Sequence, residues 1–142
     1  MASVMQRKFL DEIEEKPKPW GREVWFALTP SYAGKILEIK KGHRFSLQYH
    51  ENKFETQLLI QGKIKFSYGK VGKKLTTVTL KAGEKVDIPP KTVHRAEALE
   101  DSVIFEVSTP ELDDVVKIED DYGRKGRGND EKLDAKLSKS KK

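Results

Sequence analysis

The 142-residue chain has three histidines (His43, His50 and His94) and no cysteine, so any metal site must be built from nitrogen and oxygen. Two of the histidines fall into a spaced pattern. From Gly42, five residues lead to Gln48, His50 lies two further on, Glu55 follows after four more residues and Gly62 after another six. A second block runs from Gly83 through five residues to Pro89 and then to His94. Gln48 and His50, two apart on a strand, project from one face. The polar HENKFE stretch suits a turn that returns Glu55 beside them, and His94, after a Pro-Pro-Lys-Thr turn, can close the set from another strand. Two imidazoles, a carboxylate and an amide oxygen predict one divalent ion, Zn, Mn, Fe, Co or Ni, held by Gln48, His50, Glu55 and His94. His43 has no partner at ligand spacing and is expected to be an exposed turn residue.

The elements that must position these side chains are strands. From residue 23 to 118 the sequence reads as short β-branched and aromatic runs separated by turn residues, the pattern of an all-β sandwich or barrel. Strands are expected over 23–28, 34–40, 44–50, 55–61, 63–69, 74–80, 84–89, 93–99 and 102–108, with a further edge over 115–119. Residues 1–19 are expected to form an N-terminal arm with a helical turn over 6–16, and KPKPW is extended because each proline restricts itself and its predecessor. The main domain is placed at 20–124. Residues 125–142 hold two leucines, too little apolar surface to offset the entropy of ordering, and are expected to be a disordered basic tail or a frayed helix over 130–139.

Length and charge narrow the function. The chain has room for one core. Of its net charge of +5, the tail supplies +4, from seven basic and three acidic residues, which leaves a near-neutral body and no expected nucleic-acid partner. The N-terminus lacks the apolar core of a signal peptide, and no apolar stretch is long enough for a membrane span. A cytoplasmic protein without a membrane partner is expected.

The two blocks resemble the cupin motifs G-x5-H-x-H-x4-E-x6-G and G-x5-P-x-G-x2-H-x3-N, with Gln48 in the place of the first histidine. Residues 18–124 go further. KPWG (18–21), SLQYH (46–50), Glu55, IPPKTVHR (88–95), FEV (105–107) and EDDYGR (119–124) resemble the C-terminal domain of type II mannose-6-phosphate isomerases. The chain departs from that pattern at HENKFET, where the bifunctional enzymes have a histidine-rich turn and an arginine in the place of Lys53. It departs again at Lys91 and Ala98, which replace a glycine and an asparagine. The guanylyltransferase domain that precedes such domains is not expected within these residues.

The resemblance implies a double-stranded β-helix of jelly-roll type, a small cupin barrel, and a homodimer that covers sheet edges. It also implies an aldose–ketose isomerase of mannose 6-phosphate, with the metal stabilising charge on the sugar oxygens while a base moves a proton between C1 and C2. Glu106, Glu38 and Lys53 are the candidate bases. Arg44 and Ser46 share parity with Gln48 and His50, which makes Arg44 either a phosphate clamp or a rim residue paired with an acid. Lys53 gains a phosphate role from its alignment with the family's arginine, whereas Arg95 is divided between substrate contact and a rim or subunit role. Trp20 and Trp25 are expected to pack the arm on the barrel. The EDDYGR run is read as a latch that packs Tyr122 and Arg124 back on the domain rather than as a metal cluster. Two other readings use the same architecture: a metal-holding sugar-binding module, which the HENKFET turn favours, and an iron-dependent dioxygenase, which Gln48 disfavours.

Overall fold

A computed structural model describes residues 13–140 of the chain. Among the described residues, twelve strands and one helix follow in order: β1 Glu14–Lys18, β2 Gly21–Leu28, β3 Ala33–Ile39, β4 Leu47–Tyr49, β5 Glu55–Gln61, β6 Lys63–Lys70, β7 Thr76–Lys81, β8 Lys85–Ile88, β9 Thr92–Ala98, β10 Ser102–Ser108, β11 Val116–Glu119, β12 Gly126–Arg127 and α1 Glu131–Ser140. They form two six-stranded sheets, β1-β2-β3-β10-β5-β8 and β12-β11-β4-β9-β6-β7, in which every recorded pairing is antiparallel. The all-β jelly roll expected from the sequence is the fold observed.

The two sheets close on a core of Leu37, Ile39, Leu59 and Ile104 from one side and Phe45, Ile64, Phe66, Ala96 and Ala98 from the other. Trp20 seals it edge-on against Phe45, with ring centroids 6.2 Å apart. Strand alternation carries this core directly into a polar region. On β3 the inward series is Lys35, Leu37, Ile39; on β5 it is Glu55, Gln57, Leu59; on β10 it includes Ile104 and Glu106. Glu106 faces Lys35 on one neighbouring strand and Gln57 on the other, so one end of the barrel is apolar and the other is lined by charge. Gly62, at φ +95°, turns β5 into β6 where an added Cβ would meet the Asp101 carbonyl oxygen at 2.6 Å, so this position admits only glycine without rearrangement.

The structure differs from the sequence expectations at both ends. Residues 14–18, expected as part of a helical turn and arm, form the outermost strand of the first sheet, where Pro17 costs no interior hydrogen bond; the rest of that expected turn, up to residue 12, lies outside the described residues. At the other end, residues 126–127 pair with β11, and of the two readings of the tail the helix is the one present: 131–140 form α1, packed beside β1 rather than frayed. The Asp130 carboxylate caps the helix by accepting the Leu133 amide at 3.0 Å. Asp134, in its first turn, is buried and accepts Lys18 Nζ at 2.8 Å and Arg124 Nη1 at 3.2 Å. Counting apolar residues misses this segment because its anchor is a buried charge cluster.

Candidate metal centre and its cavity

His50, Glu55 and His94 converge at the polar end, with one ligand atom from each lying within 4.8 Å of the others. His50 follows the end of β4, Glu55 opens β5 and His94 sits in β9 directly across from Gln48. Glu55 Oε1 lies 3.4 Å from His50 Nε2 and 3.1 Å from His94 Nε2. Each imidazole is fixed from behind. His50 Nδ1 lies 2.5 Å from the Asp114 carbonyl oxygen and His94 Nδ1 lies 2.9 Å from that of Thr92. Both Nδ1 atoms therefore carry the proton in the neutral rings, which turns the Nε2 lone pairs toward Glu55.

This set fits a divalent ion. His50 Nε2, His94 Nε2 and both Glu55 carboxylate oxygens are fully buried and make no hydrogen bond of proper geometry. One atom from each residue converges with the other two, an arrangement that would be costly in a structural core but matches a metal's nitrogen and oxygen ligand preferences. Gln48 faces the same cavity, and its Oε1 accepts the Ser46 hydroxyl at 2.5 Å. The turn between His50 and Glu55 is clamped by Asp114, whose carboxylate accepts the amides of Glu51, Asn52 and Lys53 at 2.7 to 2.9 Å.

Lys53 lies on the inner side of this turn. Its ammonium is 3.1 Å from Glu55 Oε2 and 3.2 Å from Glu106 Oε2, and Gln57 Nε2 donates to Glu106 Oε1 at 3.0 Å. Burial alone would push the lysine down and Glu55 up. The charges win: Glu106 and Glu55 hold the Lys53 ammonium well above its ordinary range, while Lys53 holds Glu55 well below the usual carboxylate range. Farther out, Glu23 accepts the Trp25 indole at 2.8 Å and lies 3.3 Å from Lys35 Nζ.

His50, Glu55, Gln48 and Gln57 line one cavity of about 50 Å³, whose charged walls are Lys18, Lys35, Lys53, Lys117 and Arg124 against Glu23, Glu55 and Glu106. Two of the five cations are paired behind the wall, Lys18 and Arg124 with Asp134 and Arg124 also with Asp120, so the charges in and just behind the lining balance before any metal is counted.

The remaining sequence candidates fall elsewhere. Arg44 does not line the cavity; its guanidinium pairs with Asp121 at 2.7 and 2.9 Å. Phe45 and Ser46 are both buried in succession, so alternation breaks between Arg44 and β4 and the parity argument does not reach it. Arg95 is buried on the other face of β9 and donates to the carbonyl oxygens of Phe45 and Glu119. Glu38 is held by Arg22 at 2.7 and 3.0 Å on the outer side of the first sheet. His43 is half-buried rather than exposed, with Nδ1 2.7 Å from the Tyr122 hydroxyl oxygen. The EDDYGR run does latch: the Asp120 carboxylate accepts the Tyr122 and Arg124 amides and the Arg124 guanidinium. Sequence reasoning missed Lys35 and Gln57 on the cavity wall, although Lys35 shares parity with Leu37 and Ile39, and Gln57 shares it with Glu55.

The family model described as mannose-6-phosphate isomerase C-terminal matches residues 6–120. No curated protein matches the chain at a significant level. Among solved structures, the chain is similar to the capsular polysaccharide assembling protein CapF from Staphylococcus aureus, at 21% identity and a TM-score of 0.70 over 80% of this chain and 34% of that one. It is also similar to KdgF from Halomonas sp. (20% identity, TM-score 0.60, 75% and 92% of the two chains) and to oxalate decarboxylase from Bacillus subtilis (14%, 0.66, 75% and 30%). The oxalate decarboxylase has Mn(II) centres. The chain thus spans about a third of the length of CapF, and at these identities the likeness is one of fold. With the family model covering most of the sequence and both sheets closing around a His–Glu–His set, the chain belongs to the mannose-6-phosphate isomerase C-terminal family of cupins.

Proposed function

We propose that the chain is a metal-dependent aldose–ketose isomerase of a phosphorylated hexose, interconverting mannose 6-phosphate and fructose 6-phosphate. The observation that supports it is the bridge made by Lys53, which ties a second buried carboxylate, Glu106, to the metal-ligand set through one ammonium. His50, Glu55 and His94, with Gln48 beside them, would hold a divalent ion, and such an ion supplies Lewis-acid stabilisation of negative charge on the sugar's C1 and C2 oxygens. Glu106 takes the proton from C2 of the opened aldose and returns it to C1, while the C2 hydroxyl proton passes to the C1 oxygen. Gln57 fixes the direction of the Glu106 carboxylate and Lys53 steadies its charge before and after the transfer. The lysines and the arginine among the lining residues supply donors suited to a phosphorylated rather than a neutral sugar.

The test is a coupled assay for fructose 6-phosphate formed by metal-loaded protein, together with exchange of the C2 hydrogen in deuterated water. Glu106→Gln is expected to keep its metal and lose about 10²- to 10⁴-fold in kcat, whereas Lys53→Arg keeps turnover. Absence of both turnover and exchange with every phosphohexose tried overturns the isomerase. A metal-holding sugar-binding module is the second reading, favoured by the departure of the HENKFET turn from the isomerase pattern.

A further inference from the structure

Three cations stand at the outer part of the cavity, and their arrangement goes beyond the metal set. Lys18 comes from β1, Lys117 from β11 and Arg124 from the latch that follows β11; all three line the cavity and each is 6 to 8% exposed. Lys117 is the cross-strand neighbour of Gln48, which in turn faces His94, so Lys117 adjoins the metal-ligand row on the same sheet, while Lys18 reaches the cavity from the other sheet. Their carboxylate partners are few. Asp134 of α1 accepts both Lys18 and Arg124, and Asp120 accepts Arg124. Lys117 donates to the Gly128 carbonyl oxygen at 2.5 Å and lies 3.5 Å from Asn129 Oδ1; among the described residues it forms no ion pair with a carboxylate.

A buried lysine with only neutral partners beside two further cations is an expensive arrangement for a purely structural wall. It is a suitable one for binding an anion. The carboxylate now among these cations belongs to the ten-residue helix α1, and the cavity behind it, about 50 Å³, has room for a few waters rather than a hexose.

We propose that Lys18, Lys117 and Arg124 form an anion subsite for the phosphate or carboxylate group of a sugar ligand, and that the Asp134 carboxylate fills this subsite until the ligand displaces it. The ligand's anion takes over the hydrogen bonds that Lys18 and Arg124 give to Asp134 and adds one from Lys117, and α1 moves off β1 as the cavity opens. Asp134 is thereby an internal competitor of the sugar's anion, and a neutral sugar, which has no group to replace the carboxylate, leaves the subsite closed. The proposal rests on the reading that the cavity takes an anionic sugar, and it does not require that the sugar be isomerised.

The experiment is binding, so it is independent of turnover. Metal-loaded full-length wild type, Asp134→Asn and the double variant Asp134→Asn/Arg124→Gln are titrated calorimetrically with mannose 6-phosphate, glucuronate, mannose and inorganic phosphate. Asp134→Asn is expected to bind mannose 6-phosphate at least about tenfold more tightly than wild type, a gain of about 1.4 kcal/mol, with mannose unchanged and the gain lost in the double variant. Glucuronate sharing the gain marks a subsite that accepts carboxylates; inorganic phosphate sharing it marks one that needs no sugar; both support the subsite. An equal gain for mannose, or none for any anion, overturns it.

A second measurement does not depend on the variant folding. In wild type, saturating mannose 6-phosphate is expected to raise amide hydrogen exchange over 131–140 at least fivefold, whereas mannose leaves it unchanged; unchanged exchange with mannose 6-phosphate overturns the displacement of α1. Should anion binding follow this pattern with no isomerisation, the subsite stands and the isomerase falls.

Discussion

Asp114 holds His50 and the turn that follows it at the same time. Its carbonyl oxygen receives the His50 Nδ1 proton at 2.5 Å, and its carboxylate receives three successive amides, from Glu51, Asn52 and Lys53. A residue from the loop before β11 thus fixes one ligand's tautomer and shapes the segment that delivers the next one, Glu55. Those amides hold the Asp114 carboxyl below its ordinary range even though burial pushes it up.

Asp114→Ala keeps the carbonyl but frees the turn. We expect metal affinity to fall about 10- to 100-fold, the usual effect of losing a group that orients ligands, and stability to fall by about 1 to 2 kcal/mol. Competition of zinc against a chromophoric chelator and a thermal melt check both. His50→Ala and His94→Ala set the scale, since each should abolish stoichiometric metal; retention of wild-type metal by both variants would dismiss the ligand assignment.

Much of the candidate site was legible in the sequence because its members sit on regular strands or at their ends. Gln48 and His50 share a face through strand parity, and turns of the right length bring Glu55 and His94 to them. Legibility failed where regularity failed. Arg44 lies beyond two consecutive buried residues, Phe45 and Ser46, so parity counted from Gln48 gives it the wrong face. Helix α1 was within one of the two readings of the tail, a frayed helix over 130–139, but its anchorage was hidden: Asp134 is joined to Lys18, 116 positions earlier, by a buried ion pair that no local composition signals. Lys35, by contrast, could have been found, because it continues the inward series of Leu37 and Ile39.

Lys91 explains one departure from the cupin motif. It has φ +65°, the left-handed region that favours the glycine usual at this place, and its amide donates to the His50 carbonyl oxygen at 2.6 Å. Lys91→Gly keeps that hydrogen bond and relieves the backbone. After the added freedom of the unfolded chain is subtracted, we expect a gain of about 0.5 to 1 kcal/mol, read as a rise in Tm with metal affinity unchanged. A fall in Tm would mean that the lysine side chain contributes more than the strain costs.

Glu23 gives the acid limb of stability a specific source. Burial raises its pKa, but Lys35, Lys18 and the Trp25 indole together bring it from 4.5 to about 2. A carboxyl with a depressed folded-state pKa contributes stability that is complete above its unfolded value and is lost as pH falls from about 4.5 toward 2. The shift corresponds to about 3 kcal/mol at most. Glu23→Gln should therefore be less stable than wild type at pH 6, and the two denaturation midpoints should converge as pH approaches 2. Parallel midpoints across that range would remove Glu23 from the account.

The outer face of the first sheet predicts the state of association. Phe26 on β2 and Phe105 on β10 are 47% and 41% exposed with their rings 6.4 Å apart, and Leu28 and Val107 extend the same uncharged surface to more than half exposure. A cluster of large apolar side chains held on a rigid sheet is costly to leave in water. An uncharged patch is also self-complementary under a two-fold axis, whereas a charged one would repel its copy. We therefore expect a homodimer through this face, seen by analytical ultracentrifugation at micromolar concentration. Phe105→Glu puts a charge at its centre and should weaken association by about 2 to 4 kcal/mol, the cost typical of a central interface residue, giving monomers at the same concentration. The fold and the metal site should survive, since Phe105 points away from the cavity while its neighbour Glu106 points into it. A wild-type monomer, or a Phe105→Glu dimer as stable as wild type, would show that this face is not where two copies meet.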